Sequence, residues 1–180
     1  MSSRVTSIPP GPSVPETLAA RGAVLLPSSP DERTELLDET EWGRRFTWEQ
    51  LTCFAKYLRR YELPIGRQLF REGDHDAFLA IVITGRLDIH KNDIEDRDRL
   101  VAQIRKGKLV GEMSLLDGAA RSATAVAGEP TELLVLAKSD FLQLGREHPS
   151  MALDLTLAIA TTIAQLLRQT TGALVDHLEA

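Results

Sequence analysis

Apolar positions change period twice along this chain. Leu51, Phe54, Ala55 and Leu58 recur at spacings of three and four, the pattern of a helix with one buried face. From residue 61 onward the pattern breaks into short runs rich in Val, Ile, Leu and Thr, punctuated by Pro64, Gly66, Gly73, Gly85, Gly107, Gly111, Gly118 and Gly128. Such runs between turn residues read as strands. FLAIVIT and RLDIH are two of them, joined at Gly85; RLVAQI, ATAVA and TELLVLA are three more. After Ser139 the helical period returns. The pattern predicts a mainly β unit with flanking α-helices: a β-roll or jelly roll of about eight short strands over about 61–138, then helices over about 140–178, the last one long.

Capping residues sharpen the boundaries. Ser29-Pro30-Asp31-Glu32 has the form of a capping box with proline at the first helical position, and predicts a short acidic helix over 30–40. Thr47-Trp48-Glu49-Gln50 repeats the form. Ser139 is placed to cap a short helix through Gly145, His148-Pro149 to break it, and Ser150 to cap the final helix, which runs to about Leu178. Residues 1–30 hold six of the nine prolines, with Ser and Gly between them. They read as a mobile tail. The expected organisation is therefore an N-terminal extension over 1–45, a proline-rich tail and then the acidic helix, followed by one folded domain over 46–180. KNDIEDRDR is charged at seven of nine positions with alternating sign, as suits a solvated hairpin tip.

The final helix carries two stripes. Leu153, Leu157, Ala160, Ala164, Leu167, Thr171, Leu174 and Leu178 alternate spacings of four and three, a heptad seam. Leu155, Ile159, Ile163, Leu166 and Thr170 run beside it. One stripe can pack on the strand domain, which leaves the other for a partner helix. A homodimer through this helix is expected over a single helix wholly buried in its own domain, since the small Ala160 and Ala164 allow close approach.

Charge and composition narrow the function. Acidic residues outnumber basic ones, 26 to 21, for a net charge of −5, and no Lys/Arg cluster stands out. No electrostatic case for nucleic-acid binding follows. Cys53 is the single cysteine and sits in the apolar helical pattern LTCFAKYL, where a buried, inert thiol is expected. His75, His90, His148 and His177 lack ligand spacing, so no metal is expected. No paired carboxylates or nucleophile–base set emerges, and the chain does not read as an enzyme. No signal peptide is visible, and the uncharged window 155–167 is too short to span a bilayer, so the expected setting is cytoplasmic with no membrane partner.

The chemistry concentrates in GEMSLLDGAARSAT, residues 111–124. Met113 to Leu116 fit one helical turn, stopped at Asp117-Gly118. A helix start leaves backbone N–H groups unpaired, and the preceding Gly111 lets a group approach them. Arg121 can return over the same spot with a forked, permanently charged donor. That set suits a phosphate, while Glu112 suits a hydroxyl donor beside it. A phosphate next to a sugar hydroxyl is a nucleotide. By spacing alone, the pair reads equally well as a salt bridge across a surface loop.

The motif Gly-Glu-Met-Ser-Leu, a turn, then Arg-Ser-Ala resembles the phosphate-binding cassette of the cyclic nucleotide-binding domain family. FREGD with Gly73, ITG with Gly85, and TELLVLAKSDF resemble the family's flanking turns and strand, so the likeness extends over about residues 46–178. Val110 departs from the aromatic or Ile often found before Gly-Glu, an apolar exchange. The resemblance implies a β-roll that binds cyclic AMP or cyclic GMP, with no further cofactor, and that signals to a protein effector. It implies that Gly111 opens the cradle and that Glu112 accepts from the ribose 2′-hydroxyl. Arg121 would meet a phosphate oxygen. The amides of Met113, Ser114 and Ala123 and the Ser122 hydroxyl would complete the phosphate contacts, and Val101 and Ala102 would lie near the nucleotide. Ser122 fits relatives of either base preference. Thr170-Thr171 resembles a Thr-Ser pair that meets adenine across the dimer in catabolite-activator relatives, which favours cyclic AMP; as plain residues, both also fit as ordinary helix threonines. The chain ends at Ala180 without the helix-turn-helix of those relatives, so nucleic acid is not an expected partner. A module of the same fold that binds no nucleotide, and a cyclic-GMP-selective sensor, are the alternatives.

Overall fold

A computed structural model describes residues 13–93, 95 and 97–178, with side chains as far as residue 172. The first twelve residues lie outside the described residues, and of the seam positions Leu174 and Leu178 only the backbone is described. In chain order the elements are α1 (Val14–Ala20), β1 (Val24–Leu26), α2 (Pro30–Asp38), a 3-10 turn (Gly43–Arg45), α3 (Trp48–Ala55), β2 (Arg59–Leu63), β3 (Gln68–Phe70), β4 (Phe78–Thr84), β5 (Arg86–Asn92), β6 (Asp98–Arg105), β7 (Leu109–Val110), α4 (Glu112–Asp117), β8 (Thr124–Ala127), β9 (Thr131–Ala137), α5 (Lys138–Glu147) and α6 (Pro149–Leu178).

The strands form two antiparallel sheets, in the orders β1-β2-β9-β4-β7 and β3-β8-β5-β6. Strand β4 shows why its sequence is apolar without alternation. Leu79, Ile81 and Ile83 enter a cluster with the helices, through Leu51, Phe54, Leu144, Leu155 and Ile159. Phe78, Ala80 and Val82 enter a second cluster inside the roll, with Leu69, Phe70, Leu87, Val110 and Ala125. A strand covered on both faces has no polar side to show. Strand β9 divides the same way, Leu134 and Leu136 outward, Leu133 and Val135 inward.

Both predicted capping boxes are present. Ser29 and Thr47 each accept from the third residue of their helix and are reached in return by Glu32 and Gln50. The last two helices start earlier than expected. Strand β9 continues to Ala137 and the Lys138 N–H bonds to the Ala77 carbonyl at 3.0 Å, so α5 opens at Lys138 without a side-chain cap and Ser139 falls in its first turn. Helix α6 opens at Pro149, where the missing N–H costs nothing, and Ser150 lies inside it.

The expectation of a mobile tail over 1–30 does not hold for residues 13–26. The Ser13 N–H and hydroxyl donate to the Glu16 carboxylate at 2.8 and 2.9 Å, opening α1 with Pro15 in its first turn. Leu18 has no exposed surface and belongs to the cluster inside the roll. Strand β1 pairs with β2 in register from Val24 opposite Glu62 to Leu26 opposite Arg60. The folded unit thus begins well before residue 46, and the roll gains a strand on its edge.

Helix α6 separates its stripes as far as Ile163; beyond it Leu166 and Thr170, expected on the packed stripe, are exposed. Leu155 and Ile159 are fully buried with Met151 beside them, while Leu153, Leu157 and Leu167 of the seam are 57–66% exposed. The window 155–167 is short, but Pro149–Gly172 is by length and composition long enough to cross a bilayer, at a mean hydropathy of 1.5. The buried stripe of that same helix packs instead on the domain core.

Candidate functional site

Segment 111–124 lies where β7 ends against β4. Gly111 adopts φ +81° and heads α4. A Cβ there would stand 2.7 Å from the Phe78 carbonyl oxygen and would strike Arg121 Nη1. Glycine is required both by the left-handed backbone and by the close approach of the arginine. Gly118, at φ +71°, ends the helix with its N–H on the Ser114 carbonyl at 3.0 Å. The returning loop is stitched to the FREGD turn: the Arg121 N–H donates to the Asp74 carbonyl at 2.8 Å, and the Gly73 N–H to the Arg121 carbonyl at 2.9 Å. Backbone pairing thus places Arg121 before its side chain makes any contact.

The Arg121 side chain turns inward and the residue is 4% exposed. Its Nε donates to Asp76 Oδ1 at 3.1 Å; its Nη1 donates to the Phe78 and Gly111 carbonyls at 3.0 and 3.1 Å and to Ser114 Oγ at 2.5 Å. The guanidinium lies 4.2 Å from the ring centroids of both Phe70 and Phe78, a cation–π pairing on two rings. Nη2 is buried and has no hydrogen-bond partner among the described residues. Burial lowers the pKa of this group, partly offset by Asp76, yet guanidinium stays charged at any ordinary pH.

Glu112 is 8% exposed. It forms no ion pair with Arg121 among the described residues, so the surface salt bridge that spacing alone allowed is not what the structure holds. Burial raises the Glu112 pKa above the ordinary carboxylate range, while its own backbone N–H and the nearby Arg121 charge pull the other way. The pair consists of a buried acceptor and a buried donor that do not satisfy each other. With the amides of Met113 and Ser114 at the head of α4, this arrangement can receive an anion on the arginine side and a hydroxyl on the glutamate side. A buried donor without a partner is costly, which favours a ligand that supplies an acceptor.

The other predicted site residues lie on three segments: the two residues after Arg121, strand β6 and the later part of α6. Ser122 is exposed and its carbonyl accepts from Lys91 Nζ at 3.1 Å; Ala123 is half-buried beside it. Ala102 pairs with Ile89, so it shares the inner face on which Ile89 packs against the roll cluster, yet it is exposed. That end of the inner face is open. Val101 falls at the register shift between those pairs and is 57% exposed. Thr170 and Thr171 are exposed on α6 and donate to the Leu166 and Leu167 carbonyls at 2.9 Å, with no hydrogen bond to segment 111–124.

Phe70, Asp76, Phe78 and Arg21 are the contributors that sequence reasoning missed. Asp76 Oδ2 accepts from Arg21 Nη1 at 2.5 Å, so one carboxylate joins the site arginine to the N-terminal segment. Away from the site, an open groove of about 800 Å³ between α3 and the start of α6 is lined by Trp48, Cys53 and Met151 among others. Cys53 is half-buried rather than buried, and desolvation raises its thiol pKa, so it is not poised as a thiolate. Among the described residues, no group of three or more His, Cys, Asp or Glu could hold a metal ion.

The molecule is a two-sheet roll closed by helices, with a buried glutamate and a buried arginine beside the short helix α4. Residues 60–148 match the family model for the cyclic nucleotide-binding domain, and the chain belongs to that family. It is 36% identical over 117 residues to the cyclic AMP receptor protein of Thermus thermophilus, a match covering 65% of this chain and 54% of that protein. A lysophospholipase, nte1 of Neurospora crassa, is 32% identical over 103 residues, covering 57% of this chain but 7% of the enzyme. The crystal structure of a cyclic nucleotide-binding domain from Methylobacillus flagellatus superimposes with a TM-score of 0.76 at 25% identity, covering 86% of this chain and 89% of that one. The chain spans about half of the receptor relative and a small fraction of the lipase. The family is regulatory and the match to the lipase is confined to a segment of its length.

Proposed function

We propose that this protein is a cyclic-AMP sensor that pairs with a second copy through α6 and signals to a protein partner by a ligand-driven shift of that helix. The observation that carries the reading is the Glu112/Arg121 pair: both are buried, they are not bonded to each other, and Arg121 Nη2 has no acceptor. A 3′,5′-cyclic phosphate supplies an acceptor for Arg121, and the ribose 2′-hydroxyl supplies a donor for Glu112. The Ser122 hydroxyl and the amides of Met113, Ser114 and Ala123 complete the phosphate contacts in this reading, with Val101 and Ala102 at the open end of the roll.

The route to a signal is short. Helix α4 touches both β4 and α6. Leu115 and Leu116 of α4 share a cluster with Leu155, Ile159 and Ile163 of α6. A ligand that draws α4 inward therefore favours one placement of α6 over another, which is the differential affinity a switch requires. The exposed seam of Leu153, Leu157 and Leu167 supports the pairing. In such a dimer Thr170 and Thr171 are the hydroxyl-bearing residues of α6 that close over the base, and they favour adenine. The setting proposed is the cytoplasm, without nucleic acid or membrane as partner.

Melting temperature with cyclic AMP, cyclic GMP and linear AMP tests the reading. A ligand at a hundred times its Kd stabilises the fold by about 2.7 kcal/mol, roughly 5–10 °C for a chain of this size. The expected order is cyclic AMP above cyclic GMP, with linear AMP near zero. A larger shift with cyclic GMP assigns Ser122 to guanine. No shift with either cyclic nucleotide at millimolar concentration leaves only a structural module of this fold.

A further inference from the structure

We propose that Arg21, at the end of α1, is a positioning residue for the phosphate site: it holds Asp76 to a single hydrogen bond with Arg121 and so leaves the Arg121 Nη2 donor to the ligand. The inference rests on the cyclic-nucleotide reading of that site.

A carboxylate that faces the Nε edge of a guanidinium ordinarily takes Nε with one oxygen and Nη2 with the other, side by side. Here only half of that arrangement forms. Asp76 Oδ1 accepts from Arg121 Nε at 3.1 Å, while Oδ2 is engaged by Arg21 Nη1 at 2.5 Å, and Arg121 Nη2 is buried without a partner. Arg21 is itself held from three directions. Its Nη1 also reaches the Leu69 carbonyl at 2.7 Å, and its Nη2 reaches Asp74 Oδ2 at 2.7 Å. Asp74 Oδ2 in turn accepts the Arg71 N–H at 2.7 Å. The fully buried Leu18 fixes the helix that delivers Arg21.

Charge balance works in the same direction. Arg21, Arg121, Asp74 and Asp76 form a neutral set of four, linked by ion pairs. Without Arg21 the set carries one net negative charge beside the place where a phosphate binds, and Asp76 Oδ2 is free to turn onto Arg121 Nη2. Both changes weaken an anionic ligand. Because binding free energies are reciprocal, a ligand that draws on Arg121 also tightens the hold on Arg21, so the N-terminal segment is coupled to occupancy of the site.

The test is a titration-calorimetry series on the full chain with cyclic AMP, comparing wild type, Arg21→Ala, and Arg21→Ala combined with Asp76→Asn. The melting temperature of each without ligand is recorded separately. Arg21→Ala is expected to lose about tenfold or more in affinity, the scale of one charge-assisted hydrogen bond. The double variant is expected to recover most of that loss, because with the amide oxygen kept on Nε the nitrogen in the place of Oδ2 cannot accept from Nη2, and the remaining Arg121–Asp74 set is again neutral. Should Arg21→Ala fail to fold, Arg21→Gln is measured in its place, with the same direction expected. Affinity within about twofold of wild type in the single variant overturns the proposal and leaves the cyclic-nucleotide reading standing. A double variant no tighter than the single one reduces Arg21 to an anchor for α1 and overturns it as well. A wild-type protein that binds neither cyclic nucleotide overturns both readings together.

Discussion

Segment 111–124 and the part of α6 beyond Ile163 stand in opposite relation to the rest of the chain. In the first, the protein closes over its own charges: Arg121 is bonded to Asp76, Ser114 and two carbonyls and sandwiched by two rings, and a single buried donor is left over. In the second, Leu166 and Leu167 are exposed, and Thr170 and Thr171 bond only to their own helix. One region lacks an acceptor of atomic dimensions, the other a surface several turns long. A buried donor beside a buried acceptor specifies a ligand by its chemistry. An exposed apolar stripe constrains a partner only by length and spacing.

Arg121→Ala should break the comparison at its strong end. It leaves Asp76 with Arg21 as its remaining arginine partner and removes the donor for the ligand, and losing one partner of a desolvated charge pair costs about 2–5 kcal/mol. Cyclic-AMP affinity should fall by at least about thirtyfold in calorimetry. An unchanged affinity would remove segment 111–124 from the binding site. Gly111→Ala probes the same cradle without removing a charge. It forces a left-handed alanine, at about 1–2 kcal/mol, and brings its methyl against the Phe78 carbonyl and the Arg121 guanidinium. A total loss of about 2–3 kcal/mol, read as a melting temperature lower by roughly 4–12 °C, is expected. A tolerated alanine would show that the arginine can retreat, and the cradle would then be softer than it looks.

Legibility divides along the same line. The capping boxes at Ser29 and Thr47, the strands, the two stripes of α6 and the Glu112/Arg121 pair were readable because each is a local pattern or a short motif. The N-terminal segment was not. Prolines at 9, 10, 12 and 15 dominate its composition, and Ser13 with Glu16 carries the capping signal in their midst. What orders it, Leu18 among Phe70 and Phe78 and Arg21 on Asp74 and Asp76, joins residues more than fifty positions apart. No periodicity reports a contact of that separation. The roles of Val101, Ala102, Thr170 and Thr171 came by resemblance alone, and the two threonine hydroxyls donate within α6.

Leu157→Glu tests the weak end. Leu157 is 57% exposed, so the substitution leaves the core of one chain intact and should change monomer stability by about 0.5 kcal/mol or less. If a second copy covers the seam, each copy loses roughly 2 kcal/mol of apolar burial and places like charges in contact. The mass by light scattering should then halve relative to wild type. Wild type already at monomer mass would show that the seam awaits a different helix. Leu155→Ala is the control on the buried stripe, expected to cost about 2–5 kcal/mol of stability by leaving a cavity.

Glu112→Gln gives the smallest effect and the one whose sign is most informative. Burial raises the Glu112 pKa above its ordinary value, ahead of the opposing pull of its own backbone N–H and of Arg121. The folded state therefore holds this proton more tightly than the unfolded chain does. The stability it contributes is present in full below the ordinary carboxylate range and is lost as pH rises through the raised value. Glutamine stays neutral throughout. The variant should melt above wild type at pH 7, and the gap should close as the pH falls below the ordinary carboxylate range. Cyclic-AMP affinity should move the other way, weaker by about five- to tenfold, because a charged acceptor for the ribose hydroxyl is replaced by a neutral one. Gain of stability with loss of affinity identifies Glu112 as a charge kept buried for the ligand's sake. A variant that melts below wild type at pH 7 would instead mean that Glu112 already has a partner within the folded chain.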